Sequence, residues 1–233
     1  KHHVKANGAR AIGFDVVFAD PAADPAQDAA LAQAVGRAVA AGIPVVLASS
    51  REKVDSASAT LWTEVLPLQT LRDAGAQHGD AGVEPDDDFV VRRMPPSAGR
   101  FAATLAQHLG VRPAPAPSAD ADRLVAYRGP RGSFDTRSYY QALEPDLLPA
   151  GYFRGKVVLV GRSALTASEL QHSQADLFNA PFAALGGERL FPGVELQATL
   201  LDNHVTGAAL RPVPEGWSLA LVLLALAVLV PAS

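Results

Sequence analysis

Ala11 to Phe18 is almost continuously apolar, the pattern of a strand covered on both faces of a sheet, and one carboxylate, Asp15, interrupts it. Asp24-Pro25-Ala26-Gln27 comes next. Asp24 can cap a helix, Pro25 suits its first turn, and Gln27 completes a capping-box pattern. Leu31, Val35 and Val39 then recur at intervals of four, and Gly42 supplies a stop. Ile43 to Ala48 is a second apolar strand. A strand, a capped helix and a strand predict a βαβ unit with parallel strands.

Arg51 to Asp88 has few periodic signals and many Ala, Gly and Asp, and reads as an irregular, exposed excursion. Phe89 to Met94 reads as a strand ended by Pro95-Pro96. Phe101, Leu105 and Leu109 form one stripe of a short helix. Residues 113–122 are a Pro/Ala loop, Leu124 to Tyr127 a brief strand, and Gly129-Pro130-Arg131-Gly132 a turn. Lys156 to Gly161 is the clearest buried strand, and a Ser/Gln/Asp-rich loop follows it to Ala180. Pro192-Gly193 opens the last helix of the domain. Val194, Ala198, Leu201 and Val205 share an apolar stripe; Glu195, Thr199, Asp202 and Thr206 share a polar one; Gly207 ends the helix. Lys1 to Gly8 reads as the end of a helix whose own preceding strand is missing, so a piece truncated at both ends, with an exposed sheet edge, is expected.

From Leu219 to Val230 every residue is Ala, Val or Leu. A full crossing needs about 20 apolar residues, so the run is read as the start of a membrane helix over 217–233. Trp217 stands where an interfacial anchor would, and Arg211 lies outside the run. The alternative is a buried hairpin helix of a soluble domain. The expected architecture is therefore α/β: a mostly parallel sheet flanked by helices, with an irregular excursion, over 1–210. A linker over 211–216 and the membrane helix follow.

With 48% hydrophobic residues the chain can bury a core, and its net charge of −4, with no basic run, argues against a nucleic-acid surface. It has no cysteine, which removes disulfides, thiolate metal sites and cysteine nucleophiles together. No P-loop string occurs. Gly161-Arg162-Ser163-Ala164-Leu165 begins like a nucleophile elbow but has Leu165 where that turn needs glycine. His172 and Asp176 are four apart and could share a metal, though surface positions in a polar loop are the simpler reading. No cofactor is expected, and no catalytic activity of this segment itself.

Asp15 inside an apolar strand demands a partner. Backbone amides or an arginine are candidates, with Arg92 and Arg93 named. Those two alternate across their segment, so only one can face inward. An inward arginine could hold an anion bidentately; pairing with Asp86, Asp87 and Asp88 is equally open. Strand ends of open α/β sheets are where ligands bind, so Asp15, Arg92, Arg93, Ser163 and Asp176 form a hypothetical ligand rim.

Four stretches carry a family resemblance. They are Gly8 to Phe18; Asp88-Phe89-Val90-Val91-Arg92-Arg93, with Phe89 in place of the usual Gly; Phe153 to Gly161 together with Asp176-Leu177-Phe178-Asn179-Ala180-Pro181, with Ala180 in place of the usual Thr; and Pro192 to Ala198. In this order they resemble the second type of CHASE domain, the cyclases/histidine kinases associated sensory extracellular domain. The resemblance implies an extracytoplasmic sensor of a bacterial inner-membrane signalling protein. It also implies an unidentified ligand, further membrane helices, and a cytoplasmic cyclase, kinase or diguanylate cyclase; a homodimer is expected as well. The alternatives are a membrane-anchored dimerisation or assembly module without a ligand, and a membrane-anchored hydrolase, for which neither a nucleophile with its base nor a metal cluster is present.

Overall fold

The computed structural model describes residues 8–55, 60–112, 123–144, 146–163, 177–182, 190–213, 216–217 and 220–222. Local signals set the first elements. β1 spans Ala11–Asp15 and α1 spans Pro25–Ala40. The Asp24 carboxylate caps α1 by accepting from the Ala26 N–H at 2.9 Å, while the Gln27 N–H goes to the Asp24 carbonyl. Gly42, at φ 76°, turns the chain into β2, Val45–Asp55. The predicted βαβ unit is present, with Ile12, Gly13 and Phe14 parallel to Val45, Val46 and Leu47.

The expected irregular excursion is half wrong. β2 runs on to Asp55 and folds back antiparallel on β3, Thr60–Val65; a one-turn helix, α2 (Gln69–Asp73), leads into β4, Gln77–Asp80, parallel to the inner half of β2. β3 is rich in strand-forming residues, but among the described residues its one partner is the overhang of β2, which periodicity does not reveal. After β4 come α3 (Phe101–His108), α4 (Tyr139–Leu143) and β5 (Val157–Gly161). β5 lies parallel to β1 on its other side, so the main sheet runs β4-β2-β1-β5. β5 is half-buried rather than buried; among the described residues it has a neighbour on one side only. β6 (Leu177–Asn179) and β7 (Leu190–Pro192) pair antiparallel ahead of α5, Gly193–Thr206.

Alternation along β1 sorts the two faces of the sheet. Ile12 and Phe14 face α1, whose Leu31, Val35 and Val39 pack with Val45, Leu47 and Leu71. Ala11 and Gly13 face α3 and α5, where Phe101, Leu105, Leu196 and Leu200 are fully buried. The predicted amphipathic stripe of α5 is not the buried one. Val205 is exposed, whereas Glu195, Gln197, Thr199 and Asn203 are buried with Leu196, Leu200 and Leu201. Each buried polar side chain is bonded: Thr199 to the Glu195 carbonyl, Gln197 to the Ala81 carbonyl, Asn203 to Ala126, and Glu195 by the Gly132 N–H. Satisfied polar groups can enter a core that a hydrophobicity pattern assigns to solvent. Gly207 ends α5 in the left-handed conformation, as expected.

The strand expected over Phe89 to Met94 is absent. Phe89 closes a turn on the Asp86 carbonyl at φ 60°, the one non-glycine with positive φ among the described residues. Only Arg93 then bridges Leu124, which also replaces the brief strand expected there. Phe89 is 54% exposed, so its ring returns little for that conformation. Phe89→Gly is expected to raise stability by about 1 kcal/mol, the cost of holding a bulky residue left-handed. Urea unfolding of the two proteins checks this, and a less stable variant would show that the ring contributes more than its backbone costs.

Among the described residues no helix is long and apolar enough to cross a membrane. Most of the run read as a membrane helix lies outside them, as do residues 1–7 and 113–122.

Candidate functional site

The connection from β1 to β2 through α1 lies on one face of the sheet, and α3 lies on the other. The chain thus leaves β1 toward β2 and β4, and later adds β5 on the opposite flank. Between β1 and β5 the winding reverses, and the carboxyl ends of the strands at such a reversal are the usual ligand position in such sheets. Asp15 ends β1 directly beside Gly161, the last residue of β5. A Cβ on Gly161 would stand 2.7 Å from Val194 Cβ and 3.1 Å from Asp15 Cβ. Only glycine lets the first turn of α5 close against the rim there.

Two further groups converge on this rim. The Arg131 guanidinium donates to the Ser163 carbonyl at 2.9 Å, and the Gly132 N–H donates to Glu195 Oε2 at 2.8 Å. Glu195 is buried in the first turn of α5, where the helix dipole favours a carboxylate. The turn over residues 129–133 is therefore a strap across the rim, tying the end of β5 to the start of α5. Asp15, Ser163 and Arg131 are each half-exposed beside it.

Of the expected rim residues, Asp15 and Ser163 come together, and Asp176 lies outside the described residues. Among the described residues, Arg92 and Arg93 do not bond to Asp15, correcting the expected pairing. Arg92 is held bidentately by Asp88, at 2.8 and 2.7 Å, and by Asp86 at 2.8 Å; Asp87 takes no part. The turn at Phe89 folds these carboxylates back onto their own segment, leaving a shallow depression lined by Pro85, Asp86, Asp87, Asp88 and Arg92. Arg93 is exposed. Arg131 and Glu195 were not identifiable from sequence: one stood in a glycine turn, the other on a stripe assigned to solvent. No group of three His, Asp or Glu among the described residues could hold a metal; the His172–Asp176 pair lies outside them.

The charges near this region titrate abnormally. Hydrogen bonds from Arg92 hold the Asp88 carboxyl down to about 2. Its pairing is therefore present above the ordinary carboxylate range and is lost as pH falls through about 2. Burial pushes the Tyr127 hydroxyl above the ordinary phenol value, and the neutral hydroxyl donates to the Val91 carbonyl at 2.7 Å. Burial, then the Asp135 carboxylate, raises Tyr152 as well. A raised phenol favours the folded state fully below the unfolded pKa of about 10, and that contribution disappears as pH rises through the folded value. Stability should therefore fall above about pH 10. An alkaline absorbance titration should show Tyr127→Phe removing the last-ionising component; an unchanged high-pH component would refute the assignment.

A family model described as the CHASE2 domain matches residues 2–231. No curated protein and no solved structure matches the chain.

Proposed function

The chain belongs to the CHASE2 domain family, the sensory extracellular domains of signalling proteins, and on that premise we propose that it binds a small ligand at the β1–β5 rim. The ligand contacts Asp15, Ser163 and Arg131, with Asp176 joining them, and its binding moves α5. The carrying observation is the span of α5. It starts against Gly161 and Asp15 at the rim and ends at Gly207, about 20 Å away at 1.5 Å per residue.

The exit beyond α5 is clamped. Leu124 and Leu210 exchange two backbone bonds of 2.8 Å, and Arg123 reaches the Gly207 and Ala209 carbonyls. Asn203 holds Ala126 by both its N–H and its carbonyl. A displacement of α5 thus takes the 123–126 segment and the exit with it, and the membrane helix over 217–233 receives the movement. A homodimer in the bacterial inner membrane and a cytoplasmic cyclase or kinase complete the receptor. A ligand can shift it only through differential affinity for two arrangements.

Four glycines inserted after Pro214 in the whole receptor are expected to abolish the ligand-induced change in output while leaving ligand affinity unchanged. Output that still responds would rule out mechanical transfer through this link.

A further inference from the structure

The two edges of the sheet carry different charge. The carboxyl edge is mixed: Asp15, Asp20, Asp24, Asp80 and the buried Glu195 stand there with Arg51, Arg100, Arg131 and Arg162, and Arg51 and Arg100 both pair with Asp80. The amino edge is where strands start and helices end. Arg10 immediately precedes β1, and Arg154 and Lys156 precede β5; the Arg10 N–H bonds the Lys156 carbonyl, so these residues are adjacent. Arg37 occupies the last turn of α1, which descends from the carboxyl edge of β1 to the amino edge of β2. α3 descends likewise, because its first residue lies against Gly79 near the end of β4, and Arg112 follows its last turn. Arg211 follows the exit. All six side chains are exposed.

The acidic groups of segments adjoining this edge are Asp73, Asp135, Glu144 and Asp146. Asp135 is already occupied by Lys156, Arg137 and the Tyr152 hydroxyl, and Asp73 by Gln69. Apolar side chains are exposed among the basic ones exactly where the chain leaves: Val205, Leu210 at 54% and Val213 at 58%. Basic groups interleaved with exposed apolar ones are the make-up of a surface that settles into lipid headgroups.

We infer that the amino edge of the sheet rests on anionic lipid headgroups, through Arg10, Arg37, Arg112, Arg154 and Arg211, while Lys156 stays paired with Asp135. This rests on the reading that the chain continues into a bilayer, and it adds a second contact with that bilayer. The edge faces the membrane while the ligand rim faces away from it. The domain then stands upright, with α5 running toward the membrane, and a movement of α5 has a fixed surface to work against.

The test is binding of the 233-residue chain to vesicles of phosphatidylcholine alone and of phosphatidylcholine with phosphatidylglycerol. Each basic side chain brought to an anionic surface is expected to tighten binding about fivefold. Arg10, Arg37, Arg112 and Arg211 together replaced by Gln should therefore weaken binding to the anionic vesicles about six hundredfold. Binding to the neutral vesicles should not change. High salt should weaken wild-type binding similarly, which tests the charge term without any substitution. Arg51→Gln, at the opposite edge, should change nothing. Equal wild-type binding to both vesicles would overturn the headgroup contact and leave the membrane anchor standing. Binding to neither would overturn both. An anionic preference undiminished in the fourfold variant, or one that Arg51→Gln removes, would overturn the assignment to this edge.

Discussion

Gly79→Ala is expected to destabilise the protein by about 3 kcal/mol, at the upper end of overpacking costs, and to lower Tm by roughly 6–12 °C. A Cβ on Gly79 would stand 2.7 Å from both the N and the Cα of Phe101 and 2.8 Å from the carbonyl carbon of Arg100. All three are backbone atoms at the start of α3, so no rotamer change relieves the overlap; the helix itself must move off the sheet. Phe101, Ala103 and Leu105, fully buried beneath that helix, would lose packing together. Gly13→Ala is the control. Its new Cβ would meet Leu105 Cδ1, Leu159 Cδ2 and Phe101 Cζ at 2.7 to 2.9 Å. These are the ends of side chains, which can yield, so the expected cost is about half as large. Thermal and urea unfolding of the three proteins decides. A Gly79→Ala variant no worse than Gly13→Ala would mean that α3 is free to slide over β4.

Asn203→Ala is expected to cost about 2–4 kcal/mol, because it strands buried backbone groups. Asn203 is 1% exposed. Its Oδ1 accepts from the Ala126 N–H at 2.8 Å, and its Nδ2 donates to the Ala126 and Thr199 carbonyls at 2.8 and 2.9 Å. One side chain thus stands in for a strand partner of Ala126. Asn203→Asp keeps the acceptor but sets a carboxylate against two carbonyls, so it should be at least as damaging. Urea unfolding measures both, and a loss below about 0.5 kcal/mol would mean that water replaces the amide. Because the same clamp ties α5 to the 123–126 segment and the exit, Asn203→Ala should also loosen Leu124 and Leu210. Their amides should then exchange faster with solvent.

Much of the frame was legible in the chain. The capped α1, the parallel pairing of β1 with β2, and the stops at Gly42 and Gly207 follow from residues within a few positions of one another. The resemblance in four stretches identified the family, and Phe89 was already marked as the residue standing where relatives have glycine. Its positive φ supplies the physical reason that glycine is usual there.

The site was legible only in part. Asp15 was singled out because a carboxylate inside an apolar strand requires an explanation, and Ser163 because it follows the end of β5. Of the two readings left open for Arg92, pairing with its neighbouring carboxylates is the one observed, with Asp86 and Asp88. In a strand its side chain could have pointed across the sheet; in the Phe89 turn it closes on Asp86 and Asp88. Glu195 was missed because an amphipathic pattern counts polar residues as solvated, and Arg131 because a glycine turn says nothing of what it covers.

By itself the sequence determined the elements whose signals are local: caps, stops, apolar runs and the β1–α1–β2 unit. These depend on backbone conformation and on burial averaged over a few residues. The tertiary structure alone decided that β2 overhangs the sheet to hold β3, that α5 buries four polar side chains, and that the 129–133 turn reaches Ser163 through Arg131 and Glu195 through Gly132. It also gathered Arg10, Arg37, Arg112, Arg154 and Arg211 at the amino edge. Each of these turns on a hydrogen bond or a close approach between residues distant in the chain. Such a contact offsets the cost of burying a polar group, and no pattern along the sequence records that its partner is there.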